Sequence, residues 1–326
     1  MIKVENLVKI YKVPIKSYKK NIKNIFIIPS EEKVGVNGIS FTINTGEIVG
    51  FIGFNGAGKT TTIKMLSGIL TPSNGKIEVL GYVPNKDRRK YTKEISVLMG
   101  QKSILFYDIP VIESLKFYKD VYEIPDNDFK TRLNVLTEKL ELKDLLHVPV
   151  RKLSLGQRMR CEIVASVLHN PKVIFLDEPT LGLDIISKQK ILEFFKYLNE
   201  TFNTTIFFTT HDINDIDKFC KRIIIIDKGE IKYDGKTDEI FERNKFKILE
   251  LNHNDNFKIE SLENQEFKLI DKSSLKTRIK IQKDKMESIV KAILENEFVE
   301  DFNVNKVSLE EILYELYDNK DNREDD

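Results

Sequence analysis

No apolar run in this chain of 326 residues approaches the roughly 18 that a membrane-spanning helix needs, so no such helix is expected. The opening residues, Met1-Ile2-Lys3-Val4-Glu5, alternate like a strand and lack the apolar stretch of a signal peptide. Cysteine is scarce. Cys161 and Cys220 lie far apart without a C-x-x-C pair, and are expected to be buried thiols in a reducing cytosol. Histidine is scarce too: His147, His169 and His253 have no metal-ligand spacing, which leaves them surface or packing roles. No charge sign dominates. Lys and Arg number 52 against 51 Asp and Glu, and the net charge of +1 gives no global reason to expect nucleic acid as a partner. What the chain does have is 41% hydrophobic residues, enough for a real core, and 32% charged residues to keep it in solution. Its length suits one large domain and a small one.

The most informative run is Gly53 to Thr61, G-F-N-G-A-G-K-T-T. It follows a short apolar strand, Glu47 to Ile52, and precedes an apolar-periodic stretch carrying Ile63, Met65, Leu66 and Ile69. Strand, glycine-rich loop and helix are the context of a phosphate-binding P-loop. The glycines let successive backbone N–H groups point inward, and the helix N-terminus adds its partial positive charge. Gly53, Asn55, Gly56, Ala57, Gly58, Lys59, Thr60 and Thr61 are therefore the expected nucleotide-binding residues. Lys59 is expected to reach the β- and γ-phosphates and the Thr60 hydroxyl to hold Mg2+. A dinucleotide site is not supported, because G-x-G-x-x-G is missing and Lys59 would have no role.

Short apolar strands alternate with helical patterns through most of the chain, which predicts a parallel sheet covered on both faces. Strands are expected at Ile2–Val4 continuing through Leu7–Tyr11, and at Val36–Ile43, Ile95–Met99, Val173–Leu176, Thr205–Phe208 and Ile223–Ile226, with a strand and turn at Gly75–Val83. Helices are expected after the P-loop to about Leu70, at Val111–Tyr122, Asp128–Leu140 and Ile191–Leu198. Period 2 returns at Phe246–Leu251, Phe267–Ile270 and Leu275–Ile281, followed by helices at Met286–Leu294 and Ser308–Tyr317, the last with a capping box. The expected division is an ATPase domain over 1–241, with an insertion at 13–35 and a helical subdomain over about 102–160, then a small α+β domain over 242–319 and a polar tail at 320–326.

Two further elements carry chemistry. Val173-Ile174-Phe175-Leu176-Asp177-Glu178 describes a buried strand that delivers two carboxylates at its C-terminal end, the edge where ligands bind in such sheets. Asp177 is placed to hold Mg2+ through water, and Glu178 to polarise a water for attack on the γ-phosphate. Leu153-Ser154-Leu155-Gly156-Gln157 opens an apolar-periodic helix (Met159, Ile163, Val164, Val167). Ser154 fits its N-cap, and Gly156 would let a phosphate approach the backbone.

Taken in order, these motifs resemble those of the ATP-binding subunits of ABC transporters, over roughly Met1 to Asp234. The resemblance implies an ABC-type P-loop NTPase: an α/β fold with a mostly parallel sheet core, an antiparallel β subdomain and a helical subdomain. It implies ATP hydrolysis with ATP and Mg2+ as cofactors. Residue by residue, Tyr11 matches the aromatic that stacks on adenine, though it also fits a strand-end core tyrosine. Gln101 matches the glutamine that senses Mg2+ and the attacking water. His211 matches the switch histidine at the γ-phosphate. Leu181-Gly182-Leu183-Asp184 matches the loop that crosses to a second subunit. Ser154, Gly156, Gln157 and Asp184 would then contact ATP held by the partner, in a dimer expected to be of two like chains. Two positions depart from the pattern. Leu155 stands where a second glycine is commonest, so the backbone there must be ordinary. Phe54 stands where many relatives carry Pro.

Met99-Gly100-Gln101-Lys102-Ser103, the run Leu153 to Arg160 and the C-terminal extension resemble the ATPases of ABC-2-type exporters, which move drugs, lipids and polysaccharides. This implies an integral membrane permease as partner, no nucleic acid, and a cytoplasmic place on the inner face of the membrane. Val307-Ser308-Leu309-Glu310-Glu311-Ile312 resembles the end of that group's accessory domain, either regulatory and dimer-stabilising or a mere appendage. Between Val13 and Pro29, Ile15, Tyr18, Ile22, Ile25 and Phe26 fall on one helical arc, with Lys16, Lys19, Lys20 and Lys23 on a neighbouring one. A basic amphipathic helix there would meet anionic lipid, the permease, or its own core. The competing class is a soluble ABC ATPase acting on DNA or ribosomes. No long coiled coil separates the motifs and only one P-loop is present, as neither of those types would have it.

Overall fold

The computed structural model describes residues 1–14, 30–99, 103–210, 216, 219–243, 245–262, 266–307 and 311–312. Contacts divide the chain into two units, Met1–Gly235 and Lys236–Asp326.

The first unit opens with a long antiparallel pair, β1 (Ile2–Pro14) and β2 (Ser30–Ile43). Then follow β3 (Ile48–Ile52), α1 (Lys59–Leu66), β4 (Asn74–Val79), α2 (Arg88–Glu94) and β5 (Ile95–Met99). Helices α3 (Val111–Val121), α4 (Asp126–Lys139) and α5 (Leu155–Val167) form a helical subdomain. The chain returns through β6 (Val173–Asp177), α6 (Ile185–Phe202), β7 (Thr205–Thr210), β8 (Arg222–Asp227) and β9 (Glu230–Lys236). One sheet has the order β2-β1-β4 and is antiparallel; the other has the order β5-β6-β7-β3-β8-β9, with β5 through β8 pairing in parallel. Strands β6, β7 and β8 bury every apolar residue because helices and the smaller sheet cover both faces, which is why they read as unbroken apolar runs. Phe41 of β2 meets Phe207 of β7 at 6.1 Å, and Phe51 of β3 meets Phe207 at 5.0 Å, joining the two sheets. Each ring buried this way stabilises the fold by roughly 1.5–3 kcal/mol.

Several elements differ from the sequence expectation for local reasons. Helix α1 stops at Leu66, short of Leu70, because Gly68 takes a left-handed φ of 73° and leaves Ile69 exposed. Helix α6 starts earlier than Ile191, because the Asp184 carboxylate caps it by accepting from the Ser187 N–H at 2.9 Å. Strand β1 runs on through Val13 and Pro14 against Glu31 and Ser30, so the first two residues of the expected amphipathic helix are strand. The remainder of that segment, Ile15 to Pro29, lies outside the described residues, as does Ser308–Tyr317 apart from Glu311 and Ile312. Strand β9 and helix α2 were not legible from period.

The second unit contains α7 (Thr237–Arg243), β10 (Phe246–His253), β11 (Phe267–Lys272), β12 (Lys276–Gln282), α8 (Met286–Leu294) and β13 (Val299–Lys306). Its antiparallel sheet has the order β11-β12-β10-β13. Leu249, Leu251, Ile279 and Ile281 pack with Ile289 and Ile293 of α8 to form its core. The small α+β unit expected at this end is thus present. Strand β13 was not anticipated.

The scarce residues take packing roles. Cys161 and Cys220 are buried thiols with no disulfide between them, and burial pushes the Cys161 thiol up to about 12. His253 is buried between Asn254 and Thr277, while His169 stacks on Tyr122 at 3.9 Å. His147 is exposed.

Candidate functional site

The C-terminal ends of β3, β6 and β7 converge. Ile52 is level with Thr210, and Asp177 with Thr209. From β3 the chain turns through the Gly53 to Thr61 loop into α1. Gly58 sits at φ 113°, and a Cβ there would stand 2.7 Å from the Gly35 carbonyl oxygen, so only glycine fits. No side chain caps α1, so its first N–H groups remain open to a ligand. The Lys59 ammonium is buried beneath the loop. It donates to the carbonyls of Gly53 at 2.6 Å and Phe54 at 3.2 Å and lies 3.9 Å from Glu178 Oε1. Burial lowers its pKa, while Glu178 and Asp177 hold it up.

The carboxylates are tied to this loop from the neighbouring strands. Thr60 Oγ1 donates to Asp177 Oδ1 at 3.2 Å, and Thr209 Oγ1 donates to the same oxygen at 2.8 Å. The Glu178 N–H donates to the Thr209 carbonyl at 3.1 Å and to its hydroxyl oxygen at 3.2 Å. Glu178 itself adopts a left-handed φ of 52°. For a residue with a Cβ this conformation costs about 1–2 kcal/mol. Thr209 was absent from the sequence reading, which ended its strand at Phe208. The available signal was a hydroxyl at the C-terminal end of a central buried strand.

A cleft of about 500 Å3 runs along this edge, lined by Tyr11, Lys33, Gly35, Asn55, Gly56, Gly58, Lys59, Thr60, Thr61 and Glu178 among others. Tyr11 is half-buried at one end, its hydroxyl 3.1 Å from Thr61 Oγ1 and its ring under the Lys9 ammonium at 5.5 Å. Gly53 and Ala57 support the loop from behind; Ala57 is 4% exposed. A hydroxyl and a carboxylate oxygen 3.2 Å apart at the mouth of a phosphate loop are a donor set suited to Mg2+. Asp177 Oδ2 has no hydrogen-bond partner among the described residues. Among those residues no group of three or more His, Cys, Asp and Glu could hold a metal.

Ser154, Gly156, Gln157 and Asp184 form a second group that does not line this cleft. Ser154 and Gln157 make a reciprocal capping box at the start of α5, with bonds of 3.2 and 3.0 Å. Leu155 is the first residue of that helix with an ordinary φ, as its side chain requires. A Cβ on Gly156 would stand 2.6 Å from Ser187 Oγ, so the N-termini of α5 and α6 lie against each other. Ser187 in turn donates its hydroxyl to Asp184 at 2.6 Å, and these bonds lower the Asp184 pKa. Leu155, Leu181, Ile185 and Ile186 are exposed around this group. Gln101 and His211 lie outside the described residues; each follows a strand of this edge, β5 or β7.

Strand, loop and helix architecture, with Lys59 and Asp177 at one sheet edge, defines an ABC-type P-loop NTPase. Residues 36–181 match the family profile described as ABC transporter. The chain is 33% identical to the ABC transporter ATP-binding protein NatA of Bacillus subtilis, over 64% of this chain and 84% of that one. It is 36% identical to the linearmycin resistance ATP-binding protein LnrL of the same organism, over 67% of this chain and 69% of that one. The ATP-binding cassette MJ0796, solved as a dimer in a post-hydrolysis state with ADP and Pi, superposes with a TM-score of 0.60 at 25% identity, covering 72% of this chain and 98% of that one. The chain belongs to the ATP-binding proteins of ABC transporters. It binds ATP and hydrolyses it to ADP and phosphate to drive transport.

Proposed function

We propose that the chain is the ATPase subunit of an ABC-2-type exporter and works as a dimer of two like chains. The observation that carries this reading is the separation of the two residue groups. One cleft gathers Tyr11, the P-loop and Glu178, with Asp177 bonded to Thr60 of its lining, while Ser154, Gly156, Gln157 and Asp184 sit on capped helix ends outside it. Ser154 is exposed at the N-terminus of α5, where the helix dipole favours an anionic ligand. The phosphate held by a second copy supplies one.

In this reading Tyr11 stacks on adenine at its end of the cleft, and the P-loop amides and Lys59 hold the β- and γ-phosphates. Thr60 and Asp177 hold Mg2+, with Gln101 at the same ion. Mg2+ bound there supplies positive charge against the phosphate oxygens. Glu178 takes the proton of the attacking water, and His211 contacts the γ-phosphate. The partner's Ser154 and Gly156 N–H groups close the site from the other side, and closure of the two chains around ATP is the motion delivered to a membrane permease.

Among the described residues no helix is long and apolar enough to cross a membrane, which supports a separate permease as partner. The chain would then sit at the cytoplasmic face of the membrane. The likeness to a linearmycin resistance protein supports export as the direction. Residues 242–319 are an accessory domain in this reading. The test is affinity purification of the full chain from detergent-solubilised membranes, with ATP turnover measured on the eluate. A polytopic membrane protein should co-elute and ATP should be hydrolysed; turnover without any such partner overturns the transporter part of the reading.

A further inference from the structure

We propose that Thr209 is a positioning residue for both carboxylates of the site, fixing the Asp177 side chain and the Glu178 main chain through one hydroxyl. This inference rests on the roles given above to Asp177 and Glu178. Strand β7 runs between β6 and β3, so Thr209 is level with Asp177 on one side and with Phe51, just before the P-loop, on the other. The side chain is fully buried, and its hydroxyl bonds to Leu176, Asp177 and Glu178, at the end of β6 and just past it. Its proton goes to Asp177 Oδ1 at 2.8 Å, with the Leu176 carbonyl farther off at 3.3 Å. Its lone pair, together with the Thr209 carbonyl, accepts the Glu178 N–H.

Two consequences follow. First, Asp177 Oδ1 is held from both sides, by Thr60 and by Thr209, so the carboxylate plane cannot swing. Second, the left-handed backbone of Glu178 is pinned at its own N–H by two acceptors from one residue. A strained conformation persists only where its surroundings over-determine it. The β-branch of threonine adds to this by restricting χ1, so the hydroxyl direction is set by the strand.

Thr209→Val keeps the shape and removes the hydroxyl; Thr209→Ser keeps the hydroxyl. In the purified full chain, Thr209→Val should lower kcat by about 10- to 100-fold, the scale on which small misplacements act. ATP affinity, measured by equilibrium binding without turnover, should stay within about twofold because the P-loop contacts are untouched. Thr209→Ser should recover most of kcat. A kcat in Thr209→Val close to that of the natural chain overturns the proposal, as does a joint loss of ATP affinity and kcat that serine does not rescue. Should the valine variant fail to fold, Thr209→Ala removes the same hydroxyl without the added methyl beside the carboxylate, and it must show the same split. Failure of the natural chain to hydrolyse ATP at all would instead count against the reading of the site.

Discussion

The Lys59 ammonium donates to the Gly53 carbonyl at 2.6 Å and lies 3.9 Å from the Glu178 carboxylate. The cation that would meet the terminal phosphates is thus held beneath the loop by the loop's own backbone, in contact distance of the acid expected to activate water. Replacing it by alanine removes the buried positive charge and leaves the Gly53 carbonyl without its donor. Lys59→Ala should weaken ATP binding by about 10- to 100-fold, the worth of a charge-assisted hydrogen bond. Equilibrium binding of ATP measures this, and an unchanged affinity would remove Lys59 from the phosphate site.

Glu178→Gln keeps the left-handed backbone and its bonds to Thr209 but removes the basic oxygen. General bases contribute about 10²- to 10⁴-fold, and turnover should fall on that scale while ATP binding persists. The uncleaved nucleotide should also hold two chains together, visible as a dimer in sedimentation with ATP and a monomer without it. Turnover at the natural rate would mean that another group takes the proton.

The contact between Gly156 and Ser187 gives a test of the second residue group. In Gly156→Ala the new methyl would stand 2.6 Å from Ser187 Oγ, a hydroxyl already engaged by Asp184. Either the α6 cap breaks or the two helix ends part. ATP-dependent dimerisation of the Glu178→Gln chain should therefore weaken on adding Gly156→Ala, while ATP binding to the single chain is unaffected. Adding Ser187→Ala should restore part of the loss. Equal dimerisation with and without Gly156→Ala would separate this group from the dimer contact.

His169 predicts a limb in the stability profile. Its Nε2 donates to the Ile95 carbonyl at 2.9 Å, its Nδ1 is buried without a partner, and burial lowers its pKa from 6.5 to about 4. Above pH 6.5 the ring is neutral whether the chain is folded or not, and this contribution to stability is complete. As pH falls from 6.5 to about 4 the unfolded chain takes up a proton that the folded chain refuses, so stability declines by up to about 3 kcal/mol. Denaturant unfolding of the natural chain and of His169→Phe across this window checks the point. The variant should show a shallower decline; identical slopes would assign the limb to other groups.

Much of the ATPase unit was legible because its signals are local. Unbroken apolar runs such as Val173 to Leu176 and Ile223 to Ile226 are short and rich in β-branched or aromatic residues, which marks them as strands covered on both faces, and the limits of α8 follow from its 3.6-residue period. The start of α6 was missed because its first turn, Ile185 to Lys188, points apolar side chains at solvent and breaks the pattern. Strand β13 was missed because alternation is confined to Phe302-Asn303-Val304-Asn305, with adjacent Glu300 and Asp301 interrupting the period before it. The outer ends of the β1–β2 pair, beyond Tyr11 and before Val36, were missed because Lys12 pairs with Glu32 and Val13 with Glu31 across a separation that no local period reports.

The sequence by itself determined the phosphate loop, the two carboxylates at the end of a buried strand and the capped helix at Ser154. Each depends on residues adjacent in the chain, where glycine, lysine or serine has one local conformational use. Only the tertiary structure decided that Thr209 clamps Asp177 and Glu178, and that Gly156 lies against Ser187. It alone put the Ser154 group outside the cleft that holds Lys59. Those facts arise from the parallel pairing of β6 with β7 and from the packing of two helix ends, contacts between distant segments whose geometry is set by the whole sheet.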